Sequence, residues 1–335
     1  KANAYGHGLF EVVQGLRDQV SYFGVASIEE ALALRRFKID SPILLFGVPI
    51  MDAIDSAIQS DISIAVSSTE QAKEISDRAH TLKKPAVIHI KIDTGMGRLG
   101  IPKSKAFQAI QDIRSFGMLE LEGAFTHFPQ GEDETDSFTL GQIRSFQEIL
   151  EKLALKGIHF AYWHAANSIG ITNYKEAHFN LVRPGLTLYG LYPSASLRKK
   201  ITLKSVLSWR ARVILVKEIE PGHSTGYGRT FITGRRTTIG VIPVGYSHGY
   251  PFSLSNKGIV IFRNKFYPVV GRISMDYLTV DFGPEISGIK AGEIVTLLGR
   301  EGNLEISAET LAERAQTIPY EIVTRLNPSI SRIVL

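Results

Sequence analysis

Histidine, arginine, lysine, asparagine and serine recur at the ends of four predicted strands. They lie at residues 89–98, 125–127, 164–168 and 183–185. In a parallel barrel the carboxyl ends of the strands meet at one rim, where catalytic residues concentrate. Side chains of these types transfer protons and bind anions. The sequence therefore predicts a polar site at this rim, with a structural ion pair inside the barrel as the alternative.

The strand that leads to Arg98 is informative because its side chains alternate in character. It reads Ile88, His89, Ile90, Lys91, Ile92, Asp93. Successive residues of a strand point to opposite faces, so we expect the isoleucines to meet outer helices and the polar side chains to enter the barrel. An unpaired charge there is costly, so these polar residues predict either a site or a paired network.

The glycine-rich segment at residues 95–100 matches the G-x-G-x-x-G pattern of dinucleotide-binding proteins. In that motif a helix begins within the glycines, so that its N-terminus meets the pyrophosphate. Here Ile101 and Pro102 intervene, and the helical pattern begins beyond Ser104. The context argues against nicotinamide binding and leaves Arg98 at the end of a strand.

Short β-branched and aromatic runs alternate with amphipathic stretches before residue 200, which is typical of βα units around a parallel sheet. We count seven strands, the last at residues 181–190, one fewer than a (β/α)₈ barrel contains. Ser27, Ser68 and Ser104 are candidate helix N-caps. The chain opens on a loop that runs into a helix, so we expect the first strand to precede Lys1. An open doubly wound sheet is the alternative.

After Ser196 the sequence changes to short alternating strands with Gly and Pro turns, which is typical of an antiparallel β domain. Single cores stop growing near about 250 to 300 residues. The 335 residues therefore predict two domains. We place a (β/α) barrel at residues 1–200 and a mostly antiparallel β domain at residues 201–335.

The amino-acid composition indicates which binding partners and which cellular compartment to expect for this protein. The 38 lysines and arginines and 33 acidic residues leave a charge of +5. This excess is spread along the chain, so we expect neither nucleic-acid nor membrane binding. The chain has no cysteine, which excludes disulfides, thiolate nucleophiles and cysteine-ligated metals, and we expect no metal. No apolar run approaches the roughly 18 residues of a spanning helix, and the cytoplasm is the expected compartment.

The opening octapeptide, Lys1-Ala2-Asn3-Ala4-Tyr5-Gly6-His7-Gly8, resembles the pyridoxal-phosphate lysine motif of alanine racemases. Further blocks match that family in order and in both predicted domains. They are Lys91-Ile92-Asp93-Thr94-Gly95-Met96-Gly97-Arg98-Leu99-Gly100, Thr126-His127-Phe128, Ala165-Ala166-Asn167-Ser168, Arg183-Pro184-Gly185, Gly226-Tyr227-Gly228, Gly245-Tyr246 and Gly271-Arg272-Ile273-Ser274-Met275-Asp276. The resemblance covers nearly the whole chain, and the ordered series makes it specific.

The resemblance implies a pyridoxal 5'-phosphate enzyme that interconverts L- and D-alanine and supplies D-alanine for peptidoglycan. It implies a barrel followed by a β domain, in a homodimer with shared active sites. Lys1 would form a Schiff base with the cofactor and later carry the Cα proton. Tyr227 would be the second base, and because phenols ordinarily have a pKa of about 10, nearby cations must favour its phenolate. Arg98 would contact that phenol and the substrate carboxylate, with His127 as the linking histidine.

The remaining site residues are likewise implied by the resemblance. Arg183 matches the arginine that faces the pyridine nitrogen, and Lys91 matches a lysine that is often carbamylated. The other cofactor residues are Tyr5, His164, Asn167, Ser168, Gly185 and Leu186. Met275 and Asp276 match residues beside the substrate carboxylate, and Tyr246 and Arg272 match residues of the entrance. Where the family often has a second tyrosine near the C-terminus, this sequence has Pro328.

Three rival functions are compatible with parts of this pattern. A non-catalytic pyridoxal-phosphate-binding barrel protein lacks the β domain that carries Tyr227. An amino-acid decarboxylase with the same two-domain plan relies on a cysteine near the cofactor, and this chain has none. A racemase for another small amino acid stays open, because side-chain preference depends on a pocket volume that the sequence does not give.

Overall fold

The computed structural model describes residues 1–284 and 288–335, and the chain forms two compact units. The first unit comprises Lys1–Ala2, Leu9–Gly185 and Ser194–Thr202. The second comprises Asn3–Gly8, Leu186–Pro193 and Leu203–Leu335.

The first unit is built on a parallel sheet with the strand order β1-β2-β3-β4-β6-β7, and the short β5 pairs with β4. The strands are β1 (Phe23–Val25), β2 (Ile43–Leu45), β3 (Ser63–Val66), β4 (Ala86–Asp93), β5 (Ile101–Pro102), β6 (Leu119–Phe125) and β7 (Tyr162–His164). A left-handed turn, α1 (Ala2–Tyr5), opens the chain, and its residues from Asn3 onward belong to the second unit. The helices are α2 (Leu9–Leu16), α3 (Ile28–Arg36), α4 (Met51–Gln59), α5 (Thr69–Leu82), α6 (Lys103–Arg114), α7 (Ser137–Ala154) and α8 (Ser168–Asn173).

The core of this unit follows the alternation of β4. Ile88, Ile90 and Ile92 are at most 1% exposed and belong to one apolar cluster with residues of the flanking helices. The polar alternates His89 and Lys91 are also buried, at 0% and 6% exposure. Both faces of β4 are therefore covered, as is usual for a strand of a parallel sheet.

Two of the three predicted N-caps are present. The Ser27 hydroxyl accepts the Glu30 N–H at the start of α3, and the Ser68 hydroxyl accepts the Gln71 N–H at the start of α5. The prediction for Ser104 is wrong, because α6 begins at Lys103 directly after Pro102. A proline fixes φ near the helical value and takes over the role of the cap residue without a side-chain hydrogen bond.

The predicted strand at residues 181–190 is also wrong. This stretch is irregular up to a 3₁₀ turn at Leu186–Tyr189. Pro184 has no N–H to donate to a ladder, so a continuous strand through it is disfavoured. The Arg183 N–H instead donates to the Ala166 carbonyl at 2.9 Å, which fixes Arg183 beside the loop after β7.

The second unit is mostly antiparallel. Its large sheet has the order β17-β16-β13-β14-β15-β12-β9, with β8 paired to β16, and β10 and β11 form a separate hairpin. The strands are β8 (Trp209–Arg212), β9 (Leu215–Ile219), β10 (Ser224–Thr225), β11 (Phe231–Ile232), β12 (Thr237–Ile242), β13 (Ile259–Phe262), β14 (Lys265–Val270), β15 (Leu278–Gly283), β16 (Ile294–Glu301) and β17 (Leu304–Ile306). Two helices, α9 (Ala308–Ala315) and α10 (Pro319–Thr324), contribute to its core.

The two sheets confirm the predicted fold class, a parallel β/α barrel architecture followed by an antiparallel β domain. Within the described ranges, none of the helices combines the length and apolar character needed to cross a membrane.

Candidate active site

Lys1 is followed by a strained backbone. Residues of α1 (Ala2–Tyr5) all have φ between 51° and 54°, and Gly6 and Gly8 continue with φ of 76° and 104°. A left-handed turn of non-glycine residues costs about 1 to 2 kcal/mol per residue. Such strain persists only where the surrounding structure over-determines the backbone, and it is concentrated at functional sites.

Four cationic side chains of the first unit lie close enough to influence one another. Partial desolvation, followed by the charge of Arg98, lowers the pKa of Lys1, although Glu30 opposes this. Burial, followed by Arg98 and Arg183, lowers the pKa of Lys91 to about 8. Like charges held together disfavour their own protonated forms, so this cluster is arranged for an anionic ligand.

His127 belongs to the same cluster. Burial, followed by the charges of Arg183 and Lys91, lowers its pKa to about 3. His127 is therefore a neutral imidazole at physiological pH, and its Nδ1 atom lies 3.3 Å from Nη2 of Arg183.

Arg183 is held by hydrogen bonds on both of its terminal nitrogens. Nη1 donates to Nδ1 of His164 at 2.8 Å, and Nη2 donates to the carbonyls of Thr126 and Ala165 at 2.8 and 2.9 Å. The guanidinium also lies over the ring of Phe125, 5.5 Å from its centroid. Burial lowers the pKa of Arg183 to about 9, which leaves it cationic at neutral pH. This arrangement fixes the guanidinium as a rigid donor.

Arg98 is exposed, and the loop that carries it is organised by Asp93. The Asp93 carboxylate accepts the N–H groups of Gly95, Met96 and Gly97 at 2.8 to 3.2 Å. This corrects the sequence expectation of an Asp93 that enters the barrel interior. An ionised acceptor at the end of a strand satisfies the N–H groups of the next turn, and a half-exposed carboxylate avoids the desolvation penalty of the interior.

Ser168 and Gly185 contact each other, whereas the Asn167 side chain forms hydrogen bonds with the backbone at the start of α8 and at Phe128. The Gly185 N–H donates to the Ser168 hydroxyl at 2.9 Å. Asn167 caps α8 by accepting the Gly170 N–H at 3.0 Å and donates to the Phe128 carbonyl at 3.3 Å. Of the remaining predicted cofactor residues, His164 is completely buried below Arg183, and Leu186 is buried in the core of the second unit.

In the second unit, Tyr227 stands out because 72% of it is exposed. It begins a short 3₁₀ turn between two glycines, Gly226 and Gly228, with φ of 77° and 70°. A Cβ atom at Gly226 would lie 3.0 Å from the backbone nitrogen of Arg272, and one at Gly228 would lie 3.1 Å from its guanidinium. The two glycines therefore let the tyrosine turn pack closely against Arg272.

Tyr246, Met275 and Asp276 are joined through neighbouring residues of the same unit. The Tyr246 N–H donates to the Ser274 carbonyl at 3.1 Å, and the Ser247 N–H donates to the Met275 carbonyl at 3.0 Å. The Ser247 hydroxyl donates to Oδ1 of Asp276 at 2.9 Å. The side chains of Tyr246 and Met275 are exposed. These residues form one exposed surface of the second unit.

Tyr5 is the centre of an aromatic group in the second unit. Its ring centroid lies 5.2 Å from that of Tyr189 and 6.1 Å from that of Tyr320. Burial, followed by Tyr320, raises the pKa of Tyr5 to about 12. Its hydroxyl is therefore a neutral hydrogen-bond donor.

Sequence reasoning missed Tyr22, Ser63 and Glu122. They form hydrogen bonds with one another inside the first unit, and Glu122 also contacts His89. The sequence does show one sign of this group, the carboxylate of Glu122 in the largely apolar second half of β6. The residues that contact it are too distant in sequence to be recognised as its partners.

The chain matches one family in both of its parts. The family model described as alanine racemase, N-terminal domain, matches residues 1–193, and that described as alanine racemase, C-terminal domain, matches residues 206–334. An alanine racemase of Carboxydothermus hydrogenoformans is 38% identical over 335 residues, which cover 99% of this chain and 90% of that protein.

Solved structures give the same result. The chain is similar to an alanine racemase of Clostridium difficile 630 with a TM-score of 0.92 and 33% identity, covering 97% of this chain and 85% of that one. It is also similar to the alanine racemase of Bartonella henselae with covalently bound pyridoxal phosphate. That match has a TM-score of 0.85 and 32% identity, and covers 97% of this chain and 88% of that one.

Proposed function

The chain belongs to the alanine racemase family, and from this premise we propose that it interconverts L- and D-alanine with pyridoxal 5'-phosphate. The observation that carries the proposal is the cluster of Lys1, Lys91, Arg98 and Arg183 in the first unit. The reaction removes the Cα proton and returns a proton to either face, so only the configuration changes. It therefore requires a group that binds anions and two groups that exchange protons.

The donor set of the first unit fits this cofactor. A phosphate and a carboxylate bring negative charge to a cluster that is otherwise cationic. When bound, pyridoxal phosphate supplies an aldehyde that condenses with primary amines and a ring that delocalises the charge left at Cα. We assign Lys1 to the aldehyde and Arg183 to the ring nitrogen. The phosphate is assigned to Ser168 and Gly185, which already contact each other, and the surrounding contacts to His164 and Asn167.

Lys1 is the first base in this proposal. Its lowered pKa enlarges the fraction of neutral amine, and only the neutral form accepts a proton. Arg183 has a different task. Its guanidinium donates hydrogen bonds yet retains its protons, which limits the electron demand placed on Cα and favours proton return over transamination.

Tyr227 is the second base, on the opposite face of the substrate. Its exposure on the second unit makes the phenol accessible to a second copy of the chain. We therefore propose a homodimer in which each site combines Lys1 of one subunit with Tyr227 of the partner. Arg98 binds the substrate carboxylate and favours the phenolate of Tyr227, with His127 as a neutral hydrogen-bonding partner.

Lys91 is proposed to carry a carbamate. The neutral amine attacks carbon dioxide, a C–N bond forms, and one proton is released. The lowered pKa of about 8 supplies more neutral amine than an ordinary lysine does. The product replaces a buried cation by an anion beside Arg98 and Arg183, which relieves repulsion between like charges.

The exposed surface of the second unit completes the proposed site. The Met275 N–H and Asp276 are assigned to the region of the substrate carboxylate. Tyr246 and Arg272 are assigned to the entrance.

The decisive experiment combines racemisation with covalent labelling. The protein loaded with pyridoxal phosphate is expected to racemise alanine, and borohydride reduction is expected to leave the pyridoxyl label on Lys1. Lys1→Ala is expected to lose both properties, whereas Lys105→Ala, an exposed lysine on α6, retains them. A label on another lysine contradicts the assignment. A panel of L-amino acids distinguishes alanine from other small substrates.

The shared site is tested by mixing two inactive variants, Lys1→Ala and Tyr227→Phe, under conditions that exchange subunits. A mixed dimer has one site with both lesions and one intact site, so activity is expected to return. If each chain builds its own site, every site keeps a lesion. Continued inactivity despite proven subunit exchange would falsify the shared-site proposal.

A further inference from the structure

A chain of hydrogen bonds runs from Arg183 into the interior of the first unit. Nη1 of Arg183 lies 2.8 Å from Nδ1 of His164, and Nε2 of His164 lies 3.0 Å from Nδ1 of His89. Nε2 of His89 lies 2.9 Å from Oε2 of Glu122. Both histidines are completely buried, and all four of their ring nitrogens have a partner within the protein.

The proton positions in this chain are fixed by its two ends. A guanidinium only donates, so Nδ1 of His164 must accept and its proton must lie on Nε2. His164 then donates to Nδ1 of His89, whose own proton lies on Nε2 and is donated to Glu122. A carboxylate only accepts, so the last bond agrees with the first. Every donor therefore points from Arg183 towards Glu122.

The carboxylate end is held as an anion. Burial tends to raise the pKa of Glu122, but hydrogen bonds from His89 and Tyr22 outweigh it and lower the pKa overall. The Ser63 hydroxyl contacts the same oxygen at 3.4 Å. An ionised Glu122 cannot donate to His89, so the direction of the chain does not reverse.

The backbone of β6 is shaped to place these groups. Ile88 pairs with Leu121 and His89 pairs with Gly123, so Glu122 is an extra residue at a register shift between β4 and β6. A Cβ atom at position 123 would lie 2.3 Å from Nδ1 of His89. The bulge and the glycine together let the imidazole lie against the neighbouring strand.

The imidazole rings are also fixed by packing. His164 stacks on Phe125 with centroids 4.8 Å apart and an interplanar angle of 6°. His89 stacks on Tyr162 with centroids 6.2 Å apart and an angle of 14°. These contacts and the hydrogen bonds at the ring nitrogens favour the orientation that each ring has in the structure.

We propose that His89 and Glu122 are positioning residues for Arg183. They set the proton position on His164, so that an unprotonated nitrogen always faces the guanidinium. This inference rests on one part of the proposed function, the assignment of Arg183 to the ring nitrogen of the cofactor. If the chain reversed, the Nδ1–H of His164 would face an N–H of Arg183, and the bond would be lost. A hydrogen bond to a charged group is worth roughly a factor of 10 to 100 in an equilibrium.

The proton positions are measured directly by nitrogen NMR of the full chain with ring-labelled histidine, with and without pyridoxal phosphate. The chain has nine histidines, and the two signals of interest are assigned by their loss in His89→Gln and His164→Gln. Both residues are expected to be neutral with the proton on Nε2. A proton on Nδ1 of either residue overturns the proposal. This measurement needs no turnover, so a protein without racemase activity contradicts the proposed function separately.

The effect on the reaction is tested with Glu122→Gln, which keeps the size but can donate as well as accept. It is expected to show a population with the proton on Nδ1 of His89 and a kcat lowered at least tenfold. Glu120→Gln makes the same charge change at an exposed position of β6 and is expected to change neither. Tyr22→Phe removes one donor but keeps the carboxylate, so the wild-type proton positions are expected.

Two outcomes of the Glu122→Gln experiment refute a positioning role. If kcat falls while the histidine signals are unchanged, Glu122 serves only the stability of the barrel. If the signals change while kcat is unchanged, the proton position on His164 does not matter to Arg183.

Discussion

Asp93 organises the loop that carries Arg98, and its replacement by alanine gives a prediction whose size follows from the structure. The carboxylate accepts three consecutive backbone N–H groups, those of Gly95, Met96 and Gly97. Alanine removes the acceptor without introducing bulk. The three N–H groups must then bind water or the loop must rearrange. The loop that holds Arg98 is no longer fixed in position.

We expect the decrease in the free energy of unfolding to be well below the summed contribution of three hydrogen bonds. Hydrogen bonds to charged groups contribute about 1.5 to 3 kcal/mol each, which sets an upper limit of about 5 to 9 kcal/mol for three. Gly95 and Gly97 are exposed, so water replaces the carboxylate at their N–H groups, whereas Met96 is half-buried. We therefore expect Asp93→Ala to lower the free energy of unfolding by about 2 to 4 kcal/mol.

Asp93→Asn is the matched control, because its side-chain oxygen still accepts the same N–H groups but carries no charge. We expect it to cost about 1 kcal/mol. Urea unfolding measures both variants, and the KM for alanine reports the position of Arg98. Asp93→Ala is expected to raise KM more than Asp93→Asn does. A loss below about 1 kcal/mol for the alanine variant, or equal losses for both, refutes the reasoning.

Three further predictions concern charge and backbone shape. In carbon-dioxide-free buffer Lys91→Met is expected to raise the free energy of unfolding most below pH 8. The gain shrinks between pH 8 and about 10.4, because the folded-state pKa of about 8 lies below the unfolded value. Burial and Arg183 lower the pKa of His127 to about 3, so stability is expected to fall as pH drops from about 6.5 towards 3. His127→Gln flattens that decline in urea unfolding at several pH values. Gly190→Ala would place Cβ 1.8 Å from a carbonyl oxygen, whereas Gly222→Ala meets open space. Thermal unfolding is expected to show a loss of about 2 kcal/mol or more for the first and about 1 kcal/mol for the second.

The elements of the first unit could be predicted because their signals are local. Alternating βα patterns gave the strands and helices, and the rule that strand ends share a rim placed the polar segments near one another. Arg98 and Arg183 lower the pKa of Lys91, and Lys91 in turn lowers the pKa of His127, as that rule requires. The site residues of the second unit could be predicted only from the family resemblance, because no periodicity in the sequence connects Tyr227 with Lys1.

The failures have local causes as well. The apolar pattern at residues 181–190 is that of a strand, but a proline without an N–H interrupts it. Ser104 is a residue type that favours the cap position, but α6 begins at Lys103 and Pro102 occupies the cap position two residues earlier. In both places a backbone constraint from proline overrides a side-chain preference.

The interior of the barrel was beyond sequence reasoning for a geometric reason. Parity assigns a face to every strand residue only while the register is unbroken, and one inserted residue reverses every later assignment. β6 contains such an insertion at Glu122, and the adjoining Gly123 is needed because the ring of His89 occupies the space of a side chain. Glu122 and Tyr22 are also 100 residues apart in the chain. Because of the bulge, Glu122 departs from the alternation of β6 and becomes the anionic end of the hydrogen-bond chain from Arg183. The strand pairing in three dimensions is needed to recognise this.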